Sequence, residues 1–445
     1  MCDLTDESSQ QSVNGEQSKR SHVSRRQLLR GLGTVGTAVF TSLSGCLFGG
    51  NDEESSPSVF ASQQGRITQE QATHVVTTAR GLRNAVSTPN AVVWIPNNTV
   101  IDISGEFGVE IARNVMIASN RDLAHPGGML ESNAYINGHF TTKETGNGFI
   151  RISGIRLKGP RTDVFDPRKK PKPASAYYSA GFRLAPKKVL IDNCEVVGWT
   201  NAGFLLGSKQ VQTTSWLHHN QMHHNRMHTL GYPFELYNGT ALIEWNYFNA
   251  NRHSITAFGS PTSGYEARFN LVGSDAVHHA FDMHALCENR DAMMCGSTGR
   301  DLAGKFCNIH HNVFLLTHRS AFSIQGYSVK PSQFVSNWCA EQKGGSDTGD
   351  PEGVVYFPDY AAVTVRDNRY GKEAVAAGQE WLSNAAQKVA ASAPGQSVNP
   401  PADDQSNGNT TAQKHDPATF PATTDPLTGT TLTTVDIAAR RYRRI

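Results

Sequence analysis

The sequence predicts an all-β fold, a single-stranded right-handed parallel β-helix (solenoid) with short capping helices. A recurring phrase carries this reading: two or three strand-like residues run into an Asn, a turn follows, and a second short strand begins about ten residues later. The phrase stands at Leu190-Ile191-Asp192-Asn193, His223-His224-Asn225, Ile243-Glu244-Trp245-Asn246, Ala267-Arg268-Phe269-Asn270, Ile309-His310-His311-Asn312, Phe334-Val335-Ser336-Asn337 and Val365-Arg366-Asp367-Asn368. Asn225 to Asn246 is 21 residues, Asn246 to Asn270 is 24 and Asn312 to Asn337 is 25, each the length of one coil; the 42 from Asn270 to Asn312 is a coil with an inserted loop. Leucine-rich repeats share this period, but their L-x-x-L-x-L signature and the helix between strands are missing. Composition agrees, because charged residues are only 18% of the chain while Gly reaches 40, which suits a fold dense in tight turns.

Residues 1–46 have the order of an export leader: a polar start, then Arg25-Arg26-Gln27-Leu28-Leu29, then the apolar run 31–44. The arginine pair resembles the twin-arginine motif, and Leu43-Ser44-Gly45-Cys46 resembles a lipobox, so Cys46 is the expected lipidated residue. The combination resembles the lipoproteins of halophilic archaea. It implies an exported chain, lipid-anchored at Cys46 on the outer face of the cell membrane. Residues 47–65, rich in Gly, Ser, Asp and Glu, read as a disordered tether.

The β-helix is expected over 66–371. Thr68-Gln69-Glu70-Gln71 has the form of a capping box, and the helical pattern after it runs to about Val86, an amino-terminal cap. Ala91–Pro96 and Val100–Ser104 read as strands around the Asn97-Asn98 turn, and Val115–Arg121 and Gly127–Leu130 continue the series. Loops interrupt the coil near 161–178, 286–305 and 340–352 and are candidate cleft walls. A second capping helix is expected at 372–393, and the Pro-, Thr- and Ser-rich segment 394–445 is expected to be mostly disordered.

The balance of 41 Lys+Arg against 39 Asp+Glu gives no electrostatic footprint for nucleic acid, and a monomer is expected. Beyond Cys2 and Cys46, the cysteines are Cys194, Cys287, Cys295, Cys307 and Cys339, an odd set in which the three from Cys287 to Cys307 could staple a loop.

Laying the coils over one another puts Phe234, Ile255, Phe281 and Phe322 in one inward column. Glu235, Thr256, Asp282 and Ser323 stand one residue on, and Tyr237, Phe258, His284 and Gln325 three residues on. Gly231, Arg252, His278 and Arg319 stand three residues before it, beside His253, His279 and Ser320. Neighbouring coils sit about 4.8 Å apart, so Arg252, His278 or His279, Asp282, His284 and Arg319 should share one patch. Two arginines around histidines and an aspartate suit an acidic sugar: arginine pairs with a carboxylate, and neutralising it makes the adjacent C–H proton easier to remove. His279 or His253 is the candidate base, Arg252 and Arg319 the carboxylate clamp, and His284 the proton donor to the leaving oxygen. Asp282 would orient an imidazole or help bind Ca²⁺ as a cofactor. A structural ion-pair network of Arg252, Asp282 and Arg319 is the alternative. For His218, His219, His223, His224, His310 and His311, near the turns, the structural role is preferred.

Arg252-His253-Ser254-Ile255, Tyr265–Asn270 and His279-Ala280-Phe281-Asp282-Met283-His284 resemble exported microbial β-helix proteins of the broad pectate-lyase-like group, over about Val92 to Tyr370. The resemblance implies the fold, and a carbohydrate-active protein acting on an acidic polysaccharide as a lyase or uronate epimerase. The Arg-x-Pro-x-x-Arg signature of pectate lyases is absent, which argues against pectate cleavage itself. The alternatives are an inverting glycoside hydrolase using Glu235 and Asp282, two coils and roughly 9.6 Å apart, and a non-catalytic glycan-binding or adhesive surface lipoprotein.

Overall fold

The computed structural model describes residues 66–122, 125–142, 148–160, 174–227, 230–286, 301–340 and 354–391, with the paired segments Thr423–Thr424 and Thr431–Leu432. The leader with Cys46, the tether, most of the tail and the central parts of the three loops lie outside the described residues.

The described chain is a right-handed parallel β-helix. Three parallel sheets of 11, 10 and 9 strands run its length, and every complete coil among the described residues gives one strand to each. One coil shows the pattern: Lys188–Asp192 lies in the first sheet, Glu195–Val197 in the second and Ala202–Leu206 in the third. The chain then returns to Thr213–His218, paired in parallel beside Lys188–Asp192. Gly239 begins the first-sheet strand of the following coil at φ +112°, and a Cβ there would lie 2.1 Å from the Thr213 carbonyl oxygen, so only glycine fits this corner.

In-register parallel stacking places like residues over like, and the inward column forms the core. Phe140, Phe182 and Phe204 stack at 4.9 and 5.4 Å, and Phe234, Ile255, Phe281 and Phe322 continue the file, each fully buried. Ring burial of this extent supplies the apolar area that drives folding. Buried charge is paired: Arg151 holds Asp192 at 2.8 and 3.0 Å, with Ser153 Oγ donating to the same carboxylate at 2.7 Å.

The asparagine ladder exists as expected from Asn246 to Asn368, whereas the two expected members before it, Asn193 and Asn225, lie outside this file. Between the first and second sheets, Asn220, Asn246, Asn270, Asn312, Asn337 and Asn368 form one file. Each Nδ2 donates to the next Oδ1 at 2.9–3.1 Å. Each residue before them is in the left-handed region, from His219 (φ 56°) through Trp245, Phe269, His311 and Ser336 to Asp367 (φ 59°). Asn193 holds this left-handed position, with Cys194 in the ladder place, and Asn225 belongs to a second file between the second and third sheets, donating to Asn251 at 3.0 Å. The first coil step is therefore the 26 residues from Asn220 to Asn246.

The helices also depart from expectation. Gln69–Gln71 forms only a single 3-10 turn, capped by Thr68, whose N–H donates to Gln71 Oε1 at 2.8 Å. A strand, His74–Val75, intervenes before helix α1, Ala79–Val86, which has its own cap: Thr78 Oγ1 accepts from Gly81 N–H. α1 buries Leu82, Ala85 and Val86 against the core, as an amino-terminal cap should. The second helix, α2 (Lys372–Ala391), lies along the outer side of the second sheet rather than across its end. Trp381 packs on Trp338, His311 and Phe269, residues of successive coils, at 5.0, 5.4 and 5.6 Å between ring centres. The apolar outer side of that sheet (Tyr247, Leu271, Val313, Trp338) calls for such a cover. No helix among the described residues is long and apolar enough to cross a membrane.

Cys194, Cys307 and Cys339 are free and buried. A staple to Cys307 is thereby excluded: its thiol is inside the coil beside Tyr265 and Ser332, and burial raises it well above the usual thiol range.

Candidate functional site

The third sheet carries the site, and its register is set by the core file beneath it. Ile255 pairs with Phe281 and Phe281 with Phe322. This forces Glu235, Thr256, Asp282 and Ser323 into one adjacent file and brings the corners before these strands together. The Asn225–Asn251 step fixes the corner that holds Arg252 and His253, and Arg252 N–H donates to the Asn225 carbonyl oxygen at 2.9 Å.

Asp282 is the centre. It is fully buried, and three imidazoles converge on its carboxylate: His279 Nε2 lies 2.9 Å from Oδ1, His284 Nε2 2.6 Å from Oδ2, and His253 Nε2 3.8 Å from Oδ2. Burial alone would raise the carboxyl, but His284, His279 and His253 overcome it and hold it well below the usual carboxylate range. The alternative reading, a structural ion-pair network of Arg252, Asp282 and Arg319, is not seen among the described residues; the partners of Asp282 are histidines. Thr256 Oγ1 and Ser323 Oγ, on either side in the file, are buried without a hydrogen-bond partner.

His253 is fully buried. Its Nδ1 lies 2.7 Å from the His279 carbonyl oxygen, which can only accept, so Nδ1 carries the proton and Nε2 bears a lone pair. Burial pushes this imidazole well below the ordinary histidine range, against the pull of Asp282. Its ring lies between Tyr232 and His279, stacked at 5.6 and 4.4 Å. A group enclosed in this way does not reach a polymer, so the geometry overturns the assignment of His253 as a base.

His279 is half-buried, and its Nδ1 lies 2.8 Å from Nδ1 of the exposed His278. Burial, with His279 and the arginines 252 and 319, lowers His278 to about 4. Arg252 is half-buried, its Nη1 donating to Tyr232 Oη at 2.9 Å; Arg319 is exposed, its Nε donating to the Val277 carbonyl oxygen at 3.1 Å. The two arginines therefore flank the His278-His279 corner, from the coil before and the coil after. Glu235 is half-buried, and burial raises its carboxyl against the influence of His284 and Arg183.

Tyr232 escaped the sequence reading, although the alignment contained it: it follows Gly231 as His253 follows Arg252. An imidazole-rich set is also a poor host for Ca²⁺, which takes oxygen ligands, so Ca²⁺ does not fit Asp282 and its neighbours.

No protein-family model matches the chain, and no curated protein sequence matches it significantly. Solved structures do. The catalytic unit of a thermostable GH87 α-1,3-glucanase from Streptomyces thermodiastaticus is similar at 11% identity and a TM-score of 0.30, over 69% of this chain and 70% of that one. The A-module of a mannuronan C-5 epimerase from Azotobacter vinelandii is similar at 10% identity and 0.26, over 66% and 91%. A PL6 alginate lyase in complex with a trisaccharide is similar at 10% identity and 0.25, over 70% and 85%. At this identity none of them assigns a role to a residue here.

Proposed function

We propose that this chain is a carbohydrate-active β-helix protein that binds an acidic polysaccharide on its third sheet and removes the proton beside a uronate carboxylate, as a polysaccharide lyase or uronate epimerase does. The observation that carries the reading is the chain of contacts from buried Asp282 through His279 to exposed His278, flanked by Arg252 and Arg319. A buried carboxylate orients an imidazole and stabilises the cation formed when it takes a proton. Here the proton from the sugar carbon is accepted at the outer edge of the histidine pair, and the electron pair left behind is delocalised into the carboxylate held by the arginines. In a lyase that pair then expels the glycosidic oxygen; in an epimerase a proton returns from the opposite side. His284 has its Nε2 turned onto Asp282, so it supports the site rather than facing the leaving oxygen.

Cleavage of uronate polymers is followed by ultraviolet absorbance and reducing ends together. Both rising, and both lost in H279A, supports β-elimination; exchange of solvent deuterium into the polymer without new ends supports epimerisation. New ends without absorbance would replace this reading with hydrolysis, for which the raised carboxyl of Glu235 is the candidate acid. Binding alone, with no product, would leave a glycan-binding surface protein. The leader motifs support a further proposal, that the protein is exported and lipid-anchored through Cys46.

A further inference from the structure

We propose that His253, Asp282 and His284 form a binding site for a divalent first-row transition metal, with His279 held beside it by the second oxygen of the same carboxylate. The inference stands on coordination geometry and holds whichever reaction the third sheet performs.

One ligand atom from each of the three residues lies within 4.8 Å of the other two, and both imidazoles face one carboxylate oxygen: His284 Nε2 at 2.6 Å and His253 Nε2 at 3.8 Å from Asp282 Oδ2. Metal–nitrogen and metal–oxygen bonds of about 2.0–2.2 Å hold such atoms roughly 3 Å apart, and these two separations bracket that value. The second, independent observation is the state of His253. Its Nδ1 proton is committed to a backbone carbonyl, so the fully buried Nε2 directs a lone pair at a buried carboxylate and has no hydrogen-bond partner. Two electron pairs facing each other in a low-dielectric interior repel unless a positive charge lies between them. The backbone contact does what supporting groups do in metal sites: it fixes the tautomer and aims the other nitrogen. Asp282 Oδ1, turned away from the triad, meets His279 Nε2 at 2.9 Å. Two imidazoles and one carboxylate select zinc, manganese, iron, cobalt or nickel over calcium or magnesium.

The test uses the full chain, freed of metal by a chelator and titrated with Zn²⁺ against a chromophoric competitor, with melting followed in parallel. The expected result is one tightly held equivalent, a rise in melting temperature on loading, and no displacement by a thousandfold excess of Ca²⁺. H284Q, which alters a half-buried ring and keeps a polar side chain of similar reach, should weaken that equivalent at least a hundredfold. H310Q, in a histidine pair elsewhere, should leave it unchanged. Should H253Q not fold, H284Q and the melting rise still decide the matter. No tight equivalent, an equivalent that survives H284Q, or one that Ca²⁺ displaces would each overturn the site.

Discussion

Two neighbouring histidines on one sheet differ in role because of depth. His253 is sealed between Tyr232 and His279, whereas the His278-His279 corner opens outward. H279A removes the imidazole that links Asp282 to His278 and is therefore expected to lower turnover on a uronate polymer by about 10²–10⁴, the usual contribution of general-base catalysis, with little change in binding. R252K should instead act chiefly on KM, since lysine cannot reproduce the paired hydrogen bonds of a guanidinium; an unchanged KM would remove Arg252 from the carboxylate clamp. The alternation of inward and outward residues was readable from the sequence, and it gave the file containing Asp282. Depth was not readable, since it depends on which rings close over a corner. Asp192 is held below the ordinary carboxylate range: burial raises it, but Arg151, His218 and Ser153 outweigh that. A carboxyl depressed in the folded state binds fewer protons than it does unfolded, so its stabilisation is present above about pH 4 and is lost as pH falls through the lower folded value. Acid unfolding should be shallower in D192N, measured by circular dichroism between pH 5 and 2; an unchanged profile would show that the pair does not govern acid stability.

Among the elements, the asparagine file is a structural device whose energetic role can be measured. Asn246 donates to Asn270 Oδ1 and to the Leu217 carbonyl oxygen at 2.9–3.0 Å, and accepts from Asn220. N246A leaves those buried groups without partners, at about 1–3 kcal/mol for each that water cannot reach. The denaturation midpoint should fall markedly with the slope unchanged, and a fall no larger than that of an exposed asparagine would show that water replaces the amide. That Asn225, and not Asn220, looks like the member before Asn246 has a local cause. His218-His219-Asn220 and His223-His224-Asn225 are the same triplet five residues apart, because both corners of the coil solve one problem in one way: a left-handed residue followed by an amide that bonds along the stack. Sequence shows the solution without saying which corner it serves. The placement of α2 was likewise hidden, since its pattern marks a helix but not the flank it covers. W381A should destabilise the fold by about 1–3 kcal/mol through lost ring burial on Phe269, His311 and Trp338.

For the whole molecule, a solenoid couples each coil only to its neighbours, so stability is a sum of intrinsic and nearest-neighbour terms rather than the property of one central core. The same geometry makes the fold legible, because every coil must place an inward residue, a turn and an amide at nearly the same spacing, and repetition averages out local ambiguity. A site written once has no such redundancy. Nearest-neighbour coupling also predicts where the molecule opens. Gly239–Glu244 is buried at every position and paired on both sides, by Thr213–His218 and Gly264–Arg268. Val363–Arg366, at the edge of the same sheet, is paired on one side only and has its alternate residues exposed. Opening the end coil breaks one interface, whereas opening a middle coil breaks two. Amide exchange in Val363–Arg366 should therefore run orders of magnitude faster than in Gly239–Glu244, with protection rising coil by coil between them. Uniform protection along the sheet would mean that the coils open together, and that their coupling extends beyond nearest neighbours.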